Sequence, residues 1–256
     1  LPKDTKTPLH LFEMGGPKRW VNSGSYPLVA AYTPLYLSSG GSLSRSVPSS
    51  SGKDSLSWGG LWVDAIDYTS EPFAQGGMLA GPLAARIQLT SSNTNAQLAL
   101  EIYDKAPDGA LTRISSGGTL GSLRRTDPVK SWVDAKGLPM RPYLALDQDE
   151  PLAPNQPAQL DVPLWPTLWS IEPGHRLVVR IGTRVETADC LGLLSVPRGC
   201  SLTEPMNQSL AGGAYSLHRG GDLASFIALP LIERGALASA KSAEAPTRSS
   251  ALPVAW

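Results

Sequence analysis

Three histidines, two cysteines, seven tryptophans and one Gly-Gly-Pro turn are the residues with chemistry to offer in this 256-residue chain. A serine hydrolase of the α/β type exposes its nucleophile in a G-x-S-x-G turn between strand and helix. The nearest stretch, Gly40-Gly41-Ser42-Leu43-Ser44, lacks the second glycine and any helical sequel. His10 lies inside the strand-like run "LHLF" and His175 in the turn "EPGHR", so both read as structural before they read as general bases. His218 in "YSLHRGGD" is left with two readings, a polar residue at a strand end or a member of an interface. No two histidines stand at metal-ligand spacing and neither cysteine has a histidine nearby, so no metal site and no cofactor are expected.

Cys190 and Cys200 bracket "LGLLSVPRG", with Pro197 and Gly199 inside the interval. Closing that loop would stabilise the fold by roughly 2–3 kcal/mol. Two unrelated buried thiols are the other possibility; the close pair favours a disulfide and an exported protein, secreted or periplasmic. Of the tryptophans, Trp58, Trp62 and Trp132 lie in loop-like surroundings, and Trp165 and Trp169 bracket a proline in "LWPTLWS". Core or edge packing is the expected use of most of them, and an exposed row of rings would point to carbohydrate. "LHLFEMGGPKRW" fails as a phosphate cradle, because Gly15-Gly16-Pro17 is followed by neither the GK[ST] of a P-loop nor a helix. It reads instead as the first strand of a β-sandwich, turning at two glycines toward Trp20.

The elements that hold these residues are strands. Gly 25 and Pro 23 against only 17% charged residues favour many turns and short strands over long helices. In "PLAARIQLTSS" the residues Ala85, Ile87 and Leu89 share one face and Arg86, Gln88 and Thr90 the other. "AQLALEIYD" places Leu98, Leu100 and Ile102 inward with Gln97, Glu101 and Tyr103 outward, and these two strands should lie close in the fold. Pro107-Asp108-Gly109 is a reverse turn into a strand from about Leu111. "PAQLDVPLW" alternates with Ala158, Leu160, Val162 and Leu164 on one face, Pro163 restricting it to an edge or a bulge. Leu177, Val179 and Ile181 face inward after "EPGH", and "ASFIALPLIE" closes the series near Ile232.

The expected architecture is an all-β, jelly-roll β-sandwich forming a single domain over residues 1–234. Loop inserts are expected at about 38–57 and 124–157, the first of them Ser/Gly-rich with little to bury, and 235–256 reads as a tail. "GALASAKSAEA" has room for a turn or two of helix. Lys+Arg 22 balances Asp+Glu 22, so nucleic acid is excluded as a partner, and no apolar window is long enough for a membrane span. With no initiator methionine and no leader-like segment, Leu1 is expected to be a cut in something longer.

The ordered succession of "LHLFEMGGPKRW", "AYTPLYLSSGGSLS", "AGPLAARIQLTSS" with "YDKAPDG", "EPGHRLVVRI" and "HRGGDLASFIALPLI" resembles the C-terminal domain of the X-prolyl dipeptidyl peptidase, cocaine esterase and α-amino-acid ester hydrolase family. It spans nearly everything from Leu9 to Ile232. The resemblance implies a jelly roll similar to galactose-binding-like domains, packed against an α/β-hydrolase domain and a helical cap. It also implies a Ser-Asp-His triad upstream, so no catalytic residue transfers to any position here. Met14, Gly15, Gly16 and Trp20 are the candidate contacts to that hydrolase domain. Where the family continues into a Ser-Ser-x-Phe-Pro segment, this chain reads "IGTRVETADC", a departure that carries the first cysteine. The expected role is a non-catalytic domain that supports a secreted serine hydrolase and shapes its active-site entrance. A free-standing module binding carbohydrate or a partner surface is the alternative.

Overall fold

A computed structural model describes residues 9–58, 64–183 and 209–237. Trp62, Cys190, Cys200 and most of the expected tail lie outside them. In chain order the strands begin with β1 (Leu9–Phe12), β2 (Met14–Gly15) and β3 (Trp20–Ser23). They continue through β4 (Thr33–Ser38), β5 (Ser42–Ser44), β6 (Gly52–Ser57) and β7 (Ala65–Thr69) to the long β8 (Gly77–Ser91). Next come β9 (Gln97–Lys105), β10 (Leu111–Leu120), β11 (Trp132–Val133) and β12 (Pro139–Arg141). The series ends with β13 (Pro157–Ile171), β14 (Arg176–Gly182), β15 (Ala214–Arg219), β16 (Phe226–Leu229) and β17 (Leu231–Ile232).

These strands build a β-sandwich. In one layer β8 is central: β13 runs antiparallel along one edge, and β17, β16 and β15 follow one another along the other. β4 and β6 extend that layer outward. In the second layer β9 is flanked by β10 and β14, and β14 by β7. The β4–β5 hairpin and a single β10–β13 pairing, Gly117 with Leu164, connect the layers. Leu83, Ile87, Leu89, Leu160 and Val162 of the first layer pack against Leu98, Leu100, Ile102, Leu177 and Ile181 of the second. The strands carrying "ARIQL" and "QLALEI" are therefore close, as expected, but they face each other across the core instead of sharing hydrogen bonds.

Alternation explains the exposed halves of these strands; the uninterrupted run "MLAGPLAA" in β8 is buried on both faces. Its outward Met78 and Ala80 lie under Val21, Val29 and Leu168. Further along, Met140 of the 124–157 insert covers Phe226 and Ala228 of β16. That insert is pinned by Asp134, whose buried carboxylate accepts the backbone N–H groups of Tyr32, Lys136 and Leu138. Burial alone would raise its pKa; the three N–H donors outweigh burial and hold it below the usual carboxylate range.

The turn at Pro107-Asp108-Gly109 closes the β9–β10 hairpin as expected, with Gly109 at φ 93° and the Asp108 carboxylate accepting Ala110 N–H at 2.9 Å. β13 shifts register between Leu164 and Thr167, so Pro163 stands beside a bulge. Gly117 is required where β13 crosses β10: a Cβ there would stand 2.1 Å from the Pro163 carbonyl oxygen.

Two expectations need correction. The Ser/Gly-rich 38–57 segment is not a loop, for it carries β5 and β6. Leu43 and Leu56 are its buried anchors, each contributing about 1.5–3 kcal/mol on burial, and pairing with β4 and β15 satisfies the polar backbone between them. Likewise "LHLF" is not a sandwich strand. β1 pairs only with β3, Leu9 opposite Ser23 and Phe12 opposite Trp20, in a separate two-stranded ribbon. Within this N-terminal stretch, only Met14–Gly15 joins the main sheet. Glu101, expected outward, does lie opposite the core-facing residues of β9, yet it is buried beneath its ion pair with Arg113.

Candidate functional site

The N-terminal ribbon and the end of β13 build the candidate site. β2 pairs in parallel with β13, Met14 opposite Trp169 and Gly15 opposite Ser170. Such close parallel contact demands glycine: Gly15 has φ 70°, and a Cβ on it would lie 2.5 Å from the Ser170 carbonyl oxygen. Gly16 approaches the Glu172 carboxylate in the same way. Between ribbon and sheet, Glu13 is fully buried. Its carboxylate accepts Arg19 Nε–H at 2.6 Å on one oxygen and the Ser170 hydroxyl on the other. Arg19 also donates to the Leu237 carbonyl at 3.2 Å, and Arg234 pairs with Glu172. A buried carboxylate is stable only when paired and hydrogen-bonded, so these contacts fix the ribbon's position.

That bracing leaves three large apolar side chains facing out. Phe12 is 42%, Met14 41% and Trp20 57% exposed. The Phe12 and Trp20 rings meet edge to face, centroids 5.3 Å apart. A rigid aromatic pair beside a methionine is the composition of a contact anchor. Of the expected interface residues, then, Met14 and Trp20 present side chains, while Gly15 and Gly16 let the backbone turn beneath them.

Under this face runs a second polar cluster. The buried Asp104 carboxylate bonds His175 Nδ1 at 2.7 Å and accepts Trp169 Nε1–H at 2.9 Å. An aspartate orienting a histidine is the base half of a catalytic triad. Among the described residues no serine, threonine or cysteine bonds the other ring nitrogen of His175. The pair fastens the turn before β14 onto β9, and Trp169 packs directly beneath Gly15.

The other histidines stand apart from this cluster. His10 is exposed on β1, opposite Asn22. His218 is buried in β15, with Nε2 bonded to Thr90 Oγ1 at 2.7 Å; burial first, and the Lys53 charge second, hold its pKa below the ordinary value. That resolves it as a satisfied strand residue. No group of three His, Cys, Asp or Glu among the described residues is arranged to hold a metal ion. No described helix is long and apolar enough to cross a membrane.

The tryptophans divide by role. Trp58, expected in a loop, is buried and donates to Gln97. Trp169 is half-buried over Asp104. Trp165 is 75% exposed at the β13 bulge, and Trp132 is half-buried under the Arg141 guanidinium. Sequence reasoning missed Glu13, Asp104 and Ser170; apart from the Glu13–Arg19 pair, six residues apart, their partners are remote in the chain.

Fold and site together define an all-β sandwich domain. The profile of the X-Pro dipeptidyl-peptidase C-terminal non-catalytic domain matches residues 3–220, and the chain belongs to that family. Solved structures share the fold. A CocE/NonD family hydrolase from Staphylococcus aureus superposes with a TM-score of 0.71 at 14% identity, over 87% of this chain and 41% of that one. An aminopeptidase from the marine sediment archaeon Thaumarchaeota archaeon gives 0.67 at 16% identity, over 90% and 41%. An α-amino acid ester hydrolase gives 0.65 at 16%, again over 90% and 41%. The chain thus spans about two-fifths of the length of these proteins. No curated protein matches it.

Proposed function

We propose that this chain is the accessory β-sandwich of an exported serine hydrolase of the dipeptidyl-peptidase or esterase type, and that Phe12, Met14 and Trp20 seat it on the α/β-hydrolase domain. The observation that carries the reading is the braced apolar trio: a fully buried Glu13 and a parallel β2–β13 contact hold three large side chains in solvent. Exposing them has no use in the isolated domain, because their burial against a partner is worth more than their exposure. Family membership and the greater length of the similar hydrolases support a catalytic neighbour. Chemistry in such a protein runs through a covalent acyl-enzyme on the neighbour's serine. The sandwich contributes rigidity and one wall of the substrate entrance.

The test is an assay of the purified chain on p-nitrophenyl acetate and on Ala-Pro-p-nitroanilide. Turnover at the buffer rate is expected. Saturable turnover of either substrate would overturn the reading.

A further inference from the structure

A cleft of about 720 Å³ opens between the 124–157 insert and strands β10 and β13. Its size and aromatic lining are those of a small-molecule site. Trp165, Tyr26 and Tyr143 line it at 75%, 43% and 39% exposure, and the Trp165 carbonyl is held by the Ser115 hydroxyl at 2.7 Å. Tyr26 meets Trp132 edge to face at 5.9 Å. Arg141 lies over the Trp132 ring, 5.2 Å from its centroid.

The charge pattern is one-sided. Arg141 is the only formally charged residue in the lining, and no carboxylate is among it. Among the described residues no ion pair engages Arg141. The Tyr26 phenol lies within electrostatic reach of that guanidinium: burial raises its pKa, the Arg141 charge works against the rise, and the phenol remains a neutral donor at pH 7. A planar cation stacked on an indole keeps its N–H edge available and loses little freedom when it binds an anion bidentately.

We propose that this cleft binds a small carboxylate with an apolar ring, the ring lying against the aromatic walls and the carboxylate on Arg141 with the Tyr26 hydroxyl as a second donor. A neutral sugar would leave the guanidinium unmatched, and a cation would be repelled. The inference stands on different residues from the Phe12–Met14–Trp20 face and does not depend on it.

The test is a calorimetric titration of the whole chain with phenylacetate and with its neutral isostere phenylacetamide. Phenylacetate should bind saturably and about tenfold more tightly than the amide, the size of one lost charge-assisted contact. Arg141→Gln should remove that preference and leave the amide's affinity unchanged, with Arg141→Lys between. Trp165→Ala, at a position exposed enough to leave the unfolding midpoint in place, should abolish binding of both. Equal affinities for acid and amide, indifference to the Arg141 and Trp165 changes, or no saturable binding would overturn the proposal. Saturable binding of cellotriose insensitive to Arg141→Gln would overturn it in favour of a neutral carbohydrate site.

Discussion

The Glu13 carboxylate accepts the hydroxyl of Ser170, 157 residues away in the chain, and this bond ties the N-terminal ribbon to the sandwich. Arg19 completes the charge balance on the second oxygen. The consequences of that burial are measurable.

Arg19→Ala would leave Glu13 as an uncompensated buried charge, a defect that costs about 3–5 kcal/mol. Removing Arg125, whose partners Asp147 and Glu150 both stand in contact with solvent, should cost about 0–1 kcal/mol. Urea unfolding of the two variants distinguishes them. Equal midpoints would show that the ribbon is not held by its carboxylate.

At Gly117 the Cβ of alanine would stand 2.1 Å from a backbone carbonyl that cannot rotate away, whereas at Gly24 it meets nothing within 4 Å. Gly117→Ala is expected to destabilise by about 1–3 kcal/mol or more, as overpacking does. Gly24→Ala should be near neutral. Thermal melts of both provide the comparison.

The alternation of Ala85, Ile87 and Leu89, and of Leu98, Leu100 and Ile102, made the two core layers legible in the sequence, because period two is a local property of a half-buried strand. Leu43 and Leu56 were not legible as strand anchors: one apolar residue in a run of serines and glycines gives no period, and only pairing with β4 and β15 makes a strand of it. At the site, Gly15 and Trp20 could be singled out by type. The contacts that give them meaning could not, since Asp104 meets Trp169 and His175 at separations of 65 and 71 residues. Local pattern carries no record of such long-range partners.

His218 yields a pH dependence. Its folded-state pKa lies below the ordinary 6.5, so above that pH the residue is neutral in both states and contributes no slope. As pH falls below 6.5 the unfolded chain takes up a proton that the folded one declines, and stability drops until the folded pKa is passed. His218→Gln should flatten that part of the profile in chemical unfolding between pH 7 and 5. An unchanged slope would show that burial and the Lys53 charge do not hold the ring neutral.

If the protein is exported as proposed, Cys190 and Cys200 are bonded in the oxidised chain. Intact mass under non-reducing conditions should then be lower by two hydrogens than after reduction, and alkylation without reductant should label neither cysteine. Two labelled thiols would remove this argument for export.

In the proposed assembly Met14 and Trp20 face a catalytic neighbour. Hydroxyl-radical footprinting reads this directly, by comparing side-chain oxidation in this chain alone with that in a polypeptide that also carries the α/β-hydrolase domain. Met14 and Trp20 should be oxidised readily in the first and be protected several-fold in the second, while the buried Trp58 stays unreactive in both. Equal oxidation of Met14 and Trp20 in the two samples would contradict the docking face and the role built on it.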